Sequence, residues 1–242
     1  HKRFGANHVL RGLNLTLHKG ETLAIIGQSG TGKSVALRLM LGLLKPDEGV
    51  IRFKGADIGV MDDLQINEIR KSFGMVFQMA ALFDSMTVGD NVAFGLESKG
   101  IHDRAKIRET VARTLRSVGL PNIENKMPAE LSGGMRKRVG VARAVAMEPE
   151  ILLYDEPTTG LDPITSDAIN DLIIKMQEEY HVTGVVVTHD MKSAYKVADR
   201  IVMLHQGVIV GEGTPKEIET SDNPMIQQFI HGRAEGPIAA IR

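Results

Sequence analysis

The sequence predicts a parallel α/β fold with a helical insertion. Short runs that are apolar on both faces recur at 22–27 (TLAIIG), 150–157 (EILLYDEP) and 183–190 (TGVVVTHD), as strands buried inside a parallel sheet do. Helical spacing separates such runs, at 34–44 and again at 163–180. Residues 79–148 differ in character, mixing loop-like and helical pieces, and read as an insertion into the strand–helix alternation.

Taken in order, VLRGLNLTL (9–17) alternates apolar and polar residues like a half-buried strand. TLAIIG ends in a glycine loop, GQSGTGKS (27–34), from which SVALRLMLGLL (34–44) continues as a helix that stops before Pro46. GVIRFKG (49–55) is another strand-like piece. DRAKIRETVARTLRSVGL (103–120) is an amphipathic helix. LSGGMRKR (131–138) opens a helix with two glycines followed by three basic residues, a start suited to an anion. At least two of Arg136, Lys137 and Arg138 are expected on a solvated face. Near the end, TPKE (214–217) is a capping box: Thr214 caps, Pro215 takes the first turn and Glu217 reaches back. DNPMIQQFIHG (222–232) repeats that logic from Asn223 through Pro224 to Gly232. It sets Met225, Ile226, Phe229 and Ile230 on one apolar face.

Composition narrows the function. The chain has 242 residues, 43% hydrophobic and 24% charged, with a formal net charge of −1, so no overall basicity points to nucleic acid. It has no cysteine, which excludes disulfides, thiolate metal sites and cysteine catalysis. No apolar run approaches the ~18 residues of a membrane span.

The chemistry concentrates in three places. The loop of Gly27, Gln28, Ser29, Gly30, Thr31, Gly32, Lys33, Ser34 and Val35 fits G-x-x-x-x-G-K-[ST], between an apolar strand and a helix. Its backbone N–H groups and the helix dipole would cradle phosphates. Lys33 would reach the β- and γ-phosphates, and the Ser34 hydroxyl would ligate Mg²⁺. The bland alternative is a glycine turn without a ligand. Asp155 and Glu156 sit at a strand end, where α/β sheets deliver functional groups. There Asp155 would hold Mg²⁺ through water and Glu156 would polarise the attacking water, although two acids at a strand end are often merely solvated. His189, ending the next strand, is a candidate sensor of the γ-phosphate.

These motifs together resemble the ATPase subunits of ABC transporters, over nearly the whole chain. GQSGTGKS resembles the Walker A loop, ILLYDE the Walker B strand, Gln78 in VFQ the Q-loop residue, LSGGM the signature, GLDP (160–163) the D-loop and His189 the switch histidine. Phe4 stands where that family places an adenine-stacking ring. The resemblance implies a P-loop NTPase (RecA-like) core with an antiparallel β subdomain over 1–78 and 149–221. It adds a helical subdomain with the signature over 79–148 and a C-terminal extension over 222–242. It implies ATP and Mg²⁺, with Gln78 among the catalytic groups and, with Ser34 and Asp155, at the metal. Asp162 is placed at the nucleotide.

In such families two copies pair head to tail, so Ser132, Gly133 and Gly134 would serve the partner copy's ATP. Met135, in place of the usual Gln, is similar to the MlaF-type ATPases of MCE lipid-transport systems, as are FQMAALFDSMTVGDNVAFGL (77–96) and the tail. That subfamily implies an MlaE-like integral permease, a small STAS-domain protein as a further partner, no nucleic acid, and a peripheral place on the cytoplasmic face of the inner membrane. Leu82, Phe83, Met86 and Val88 are then expected to expose an apolar groove for a permease helix, the alternative for any one of them being the helical subdomain's own core. Residues 233–242, including the apolar IAAI (238–241), are expected to reach the second ATPase copy, the alternative being a tail folded onto its own domain. An ATPase of an amino-acid-type importer and a non-transport ABC protein are the rival readings. A Gln at 135 would have favoured the first, and a second ATPase domain or a long coiled coil the other.

Overall fold

The computed structural model describes residues 1–239; Ala240, Ile241 and Arg242, and with them the end of IAAI, lie outside the described residues. In chain order the strands are β1 (Lys2–Phe4), β2 (Asn7–Leu10), β3 (Thr22–Ile26), β4 (Arg52–Phe53), β5 (Ala56–Asp57), β6 (Phe73–Val76), β7 (Ile151–Asp155), β8 (Thr183–Thr188), β9 (Arg200–His205) and β10 (Val208–Gly213). The helices are α1 (Lys33–Met40), α2 (Asp63–Arg70), α3 (Val88–Ser98), α4 (Arg104–Ser117), α5 (Gly133–Ala146), α6 (Pro163–Tyr180), α7 (Met191–Val197), α8 (Pro215–Glu219) and α9 (Pro224–Ile230). Six strands share one sheet in the order β10-β9-β3-β8-β7-β6, and β1–β2 and β4–β5 form two small ladders. β3 runs parallel to β9 and β6 parallel to β7, while β10 and both small ladders are antiparallel. The parallel-dominated α/β fold expected from the sequence is the fold observed.

The chain divides into two compact units, His1–Ile66 with Val185–Arg242, and Asn67–Gly184. In the first, every residue of β3 is buried, which is why TLAII carries no alternation. Arg200 opens β9 and pairs with Glu21, next to the start of β3, and with Glu212 on β10. The Arg200 pairing outweighs Glu21's partial burial and holds its carboxyl below the usual range. On this side a core cluster joins Ala24, Ile26, Ala194, Ile201 and Met203 to Ile218 of α8, Ile226 of α9 and Ile238 of the tail. In the second unit, α5 is the hub. Val139, Val141, Ala142, Ala144, Val145 and Ala146 are all buried, and the helix packs against α3, α4 and β6.

Several expectations need correction. Only Asn7–Leu10 of the alternating stretch 9–17 and its approach pairs as a strand. Gly12, at φ +91°, turns the chain out of the ladder, and nothing beyond it forms a strand before Thr22. GVIRFKG keeps just Arg52–Phe53, closed into a hairpin with Ala56–Asp57. α1 ends at Met40, because Gly42 adopts φ +63° well before Pro46. Val88, expected at a surface groove, begins α3 and is fully buried.

The tail also departs from the sharper expectation. Both caps form as the sequence suggests. Thr214 accepts from Glu217 N–H while Glu217 accepts from Thr214 N–H, and Asn223 accepts from Met225 N–H. Yet the chain beyond Gly232 folds back. Ile238 is 3% exposed within the core cluster. The side chain of Gln228, itself buried, accepts from Ile238 N–H at 2.7 Å and donates to Ile238 O at 2.8 Å. Through residue 239 the tail packs on its own unit, which is the alternative expected from the sequence.

Candidate functional site

The site residues expected from the sequence fall in both units. In the first unit, β3 leads directly into the glycine loop. Gly27 has φ +147°, and a Cβ there would stand 2.2 Å from the carbonyl oxygen of Leu204, so only glycine lets the loop pass β9 at this distance. Thr31 closes the turn by donating its hydroxyl to Gln28 O at 2.9 Å. Lys33, 6% exposed, folds back over the loop and donates its ammonium to Gly27 O at 2.7 Å and Gln28 O at 2.9 Å. α1 has neither a side-chain cap nor an acidic residue in its first turn, so the positive end of its dipole carries no negative charge of its own. The loop therefore fits a phosphate chain: a fixed cation, a tight turn and an uncapped helix start, which a merely structural glycine turn does not require.

His189 is exposed at the end of β8, whose strand neighbours β3 in the sheet. Asp190 fixes the exit from that strand: it caps α7 through Lys192 N–H and accepts the Ser193 hydroxyl at 2.6 Å. Phe4 ends β1 and is about half exposed, with the Lys2 ammonium 5.6 Å from its ring centre. A half-exposed ring can stack on a planar partner.

In the second unit, parallel β6 and β7 pair Val76 with Tyr154, so Gln78 and the Asp155–Glu156 pair leave the same ends of adjacent strands. Gln78 is exposed and the two acids are partly buried. Ala80 and Ala81, just after Gln78, both have positive φ. Arg143 of α5 donates to both of their carbonyls, which fixes the turn that carries Gln78. Glu156 also has a positive φ, +51°. Its carboxylate accepts the Thr159 hydroxyl at 3.1 Å.

The signature residues start α5. Ser132 caps the helix by accepting from Met135 N–H at 3.2 Å, and Ser132 and Gly133 are exposed. Gly134 is glycine for a spatial reason: a Cβ there would lie 2.7 Å from Thr165 Cγ2 of α6. Asp162 caps α6 with its carboxylate, which accepts from Ile164 and Thr165 N–H at 3.0 Å each and from the Thr165 hydroxyl. The Thr165 hydroxyl holds that carboxyl below its usual range. Asp162, which the resemblance puts at a nucleotide, thus caps the start of its own helix.

Sequence reasoning missed Lys137. It is 7% exposed rather than solvated, and it donates to Thr159 O at 2.9 Å and Glu156 O at 3.5 Å. Burial pushes its ammonium down, and the charge of Glu156 pulls it back up. The signal was present, since Lys137 keeps helical register with buried Val141, Ala144 and Val145 on α5. Arg136 is exposed and Arg138 partly so, as expected for two of the three.

The family model described as ABC transporter matches residues 10–159. The chain belongs to the ABC transporter family. As a member it is an ATPase. It is 44% identical to the protein TRIGALACTOSYLDIACYLGLYCEROL 3, chloroplastic, of Arabidopsis thaliana, over 98% of this chain and 73% of that protein. It is 41% identical to a probable ribonucleotide transport ATP-binding protein, mkl, of Mycobacterium tuberculosis, over 98% of this chain and 66% of the relative. It is 38% identical to the intermembrane phospholipid transport system ATP-binding protein MlaF of Haemophilus influenzae, over 93% and 86%. Among solved structures, a dimeric post-hydrolysis state of the ATP-binding cassette MJ0796 bound to ADP and Pi aligns with TM-score 0.79 and 36% identity. That alignment covers 86% of this chain and 90% of the other. cbiO1 of Clostridium perfringens aligns with TM-score 0.83 and 33% identity, over 91% and 88%. Among the described residues no helix is long and apolar enough to cross a membrane.

Proposed function

We propose that this ATPase drives the movement of phospholipid, or a related lipid, between membranes, working as a head-to-tail pair bound to MlaE-like permease subunits on the cytoplasmic face of the inner membrane. The observation that carries the reading is the signature LSGGM, with Met135 in the first turn of α5, in a chain 38% identical to an intermembrane phospholipid transport ATPase over most of both lengths. A small STAS-domain protein is a further expected partner. The division into a core (1–78 and 149–221), a helical subdomain (79–148) and an extension (222–242) is part of the same reading.

In this reading the N–H groups of the loop Gly27–Val35 and the Lys33 ammonium hold the ATP phosphates, and Phe4 stacks on the base. Lys33 already lies along the loop and needs only to exchange carbonyl partners for phosphate oxygens. Ser34, Gln78 and Asp155 would hold Mg²⁺, which neutralises charge on the phosphates when bound. Glu156 takes the proton of the attacking water and His189 contacts the γ-phosphate. Ser132, Gly133 and Gly134 serve the partner's nucleotide at the start of α5, where the helix dipole is positive. Asp162 orders the turn beside them through its cap.

A second reading is import of a small polar solute. It has a specific support: the glycine betaine/proline betaine transport ATPase ProV of Escherichia coli is 40% identical over 96% of this chain and 58% of that protein. Isolation of the intact complex from its own membranes separates the two. The lipid reading expects an MlaE-like permease with co-purifying phospholipid, and ATP turnover that does not respond to betaine. A solute-binding protein in the complex and betaine-stimulated turnover would overturn it.

A further inference from the structure

We propose that Lys137 and Thr159 are positioning residues for Glu156, forming a brace from the signature helix to the catalytic carboxylate; the inference rests on the assignment of Glu156 as the base. Glu156 occupies the left-handed region at φ +51°, which a glutamate holds only when its surroundings fix it. Two contacts do so. The Thr159 hydroxyl donates to Glu156 Oε2 at 3.1 Å, and Thr159 N–H donates to Glu156 O at 3.3 Å, so a tight turn ties the carboxylate to its own backbone. Lys137 then grips this turn from α5 through Thr159 O at 2.9 Å and, more loosely, Glu156 O.

A purely structural filler at a buried register position of α5 would be apolar, like Val141 and Ala144. A buried ammonium is retained where it has carbonyls to satisfy, and those it satisfies belong to Thr159 and to the base itself, Glu156. The division of labour follows. Thr159 fixes one carboxylate oxygen, and with it the direction in which the carboxylate points. Lys137 prevents the Thr159 end of the turn from drifting. A base must stand within about 3 Å of the proton it takes. Displacing it by about 1 Å costs on the order of 10²-fold in rate.

The test uses the full chain, with turnover measured by phosphate release and binding by titration with a fluorescent ATP analogue. Lys137→Met keeps the length and removes the donors, and Thr159→Val keeps the shape and removes the hydroxyl. Both should lower kcat about 10- to 100-fold while nucleotide Kd stays within about twofold. Thr159→Ser and Lys137→Arg should restore most of the rate. Because the brace acts only through the base, Lys137→Met should cost nothing further in a Glu156→Gln background. Turnover within twofold of the parent in both variants, loss of affinity in step with kcat, or an undiminished cost in the Glu156→Gln background would each overturn the proposal. Should Lys137→Met fail to fold, Thr159→Val carries the same comparison, since it leaves the main-chain bond to Lys137 in place. Normal turnover by Glu156→Gln itself refutes the base assignment instead, and is read without either brace variant.

Discussion

Replacing Ile238 by alanine tests whether the tail is part of the fold. Ile238 is 3% exposed, among Ile218, Ile226, Ile26 and Met203. The substitution removes three buried carbons, roughly 2.5 kcal/mol of transfer free energy at about 0.8 kcal/mol per methylene. Incomplete collapse of the cavity brings the expected loss to about 2–4 kcal/mol. Deleting residues 233–242 adds the loss of both Gln228 bonds, which strands a buried amide at a cost of about 1–3 kcal/mol. A chain of this length shifts by about 2–4 °C per kcal/mol, so Ile238→Ala should lower the melting temperature by about 5–15 °C, and the deletion should lower it further. No residue of the tail lies in the loop 27–35, so nucleotide affinity should stay unchanged at a temperature where both proteins are folded. Thermal unfolding followed by circular dichroism, with a nucleotide titration beside it, makes the measurement. A truncated chain melting within about 1 °C of the parent would refute the reasoning, and a tail docked on a second copy would have to be reconsidered.

Glu156→Gln should keep ATP binding and lose about 10²–10⁴-fold in hydrolysis, since the amide cannot take the proton; Lys33→Ala should instead weaken binding, and normal hydrolysis by the first variant would dismiss Glu156 as base. With ATP present in the Glu156→Gln protein, a cross-link from position 132 to position 30 should join two chains, whereas only intrachain products would rule out head-to-tail pairing. Phe83 is exposed and meets Phe94 in a tilted contact at 4.6 Å between ring centres, in a loop knotted by the buried Asn91 side chain. Phe83→Asp should therefore release the permease while the isolated chain keeps its melting temperature, and an intact complex would remove this surface from the interface.

How much was legible depended on how local the physics is. The glycine loop could be read because a strand end, a tight turn and a helix start must follow one another within eight residues. α6 could be read from helical spacing between two apolar runs, and the caps of α8 and α9 because each lies within one turn. The strand at 9–17 was over-extended because alternation persists in the letters after Gly12 has turned the chain away. Three neighbouring charges at 136–138 look like one solvated face, and only the helical register separates Lys137 from the others. Val88 shows the opposite error: an apolar residue in a loop-like stretch whose burial follows from being the first residue of α3. Ile238 was legible only as one of two alternatives, because nothing in the letters pairs it with Gln228, ten residues earlier.

The glycines and lysine of α5 stand on one rigid rod, with Ser132 five residues, about 7.5 Å of helix rise, before Lys137. In a head-to-tail pair the front of that rod would touch the neighbour's nucleotide while its middle sets the geometry of the chain's own base. Each nucleotide's arrival would then be felt at the opposite catalytic centre as a small displacement of a solid lever, with no flexible relay between. Such a pair behaves as an escapement, in which one tooth cannot be released until the other is engaged. Damage confined to one of its two pockets would then stop the clock instead of halving its speed.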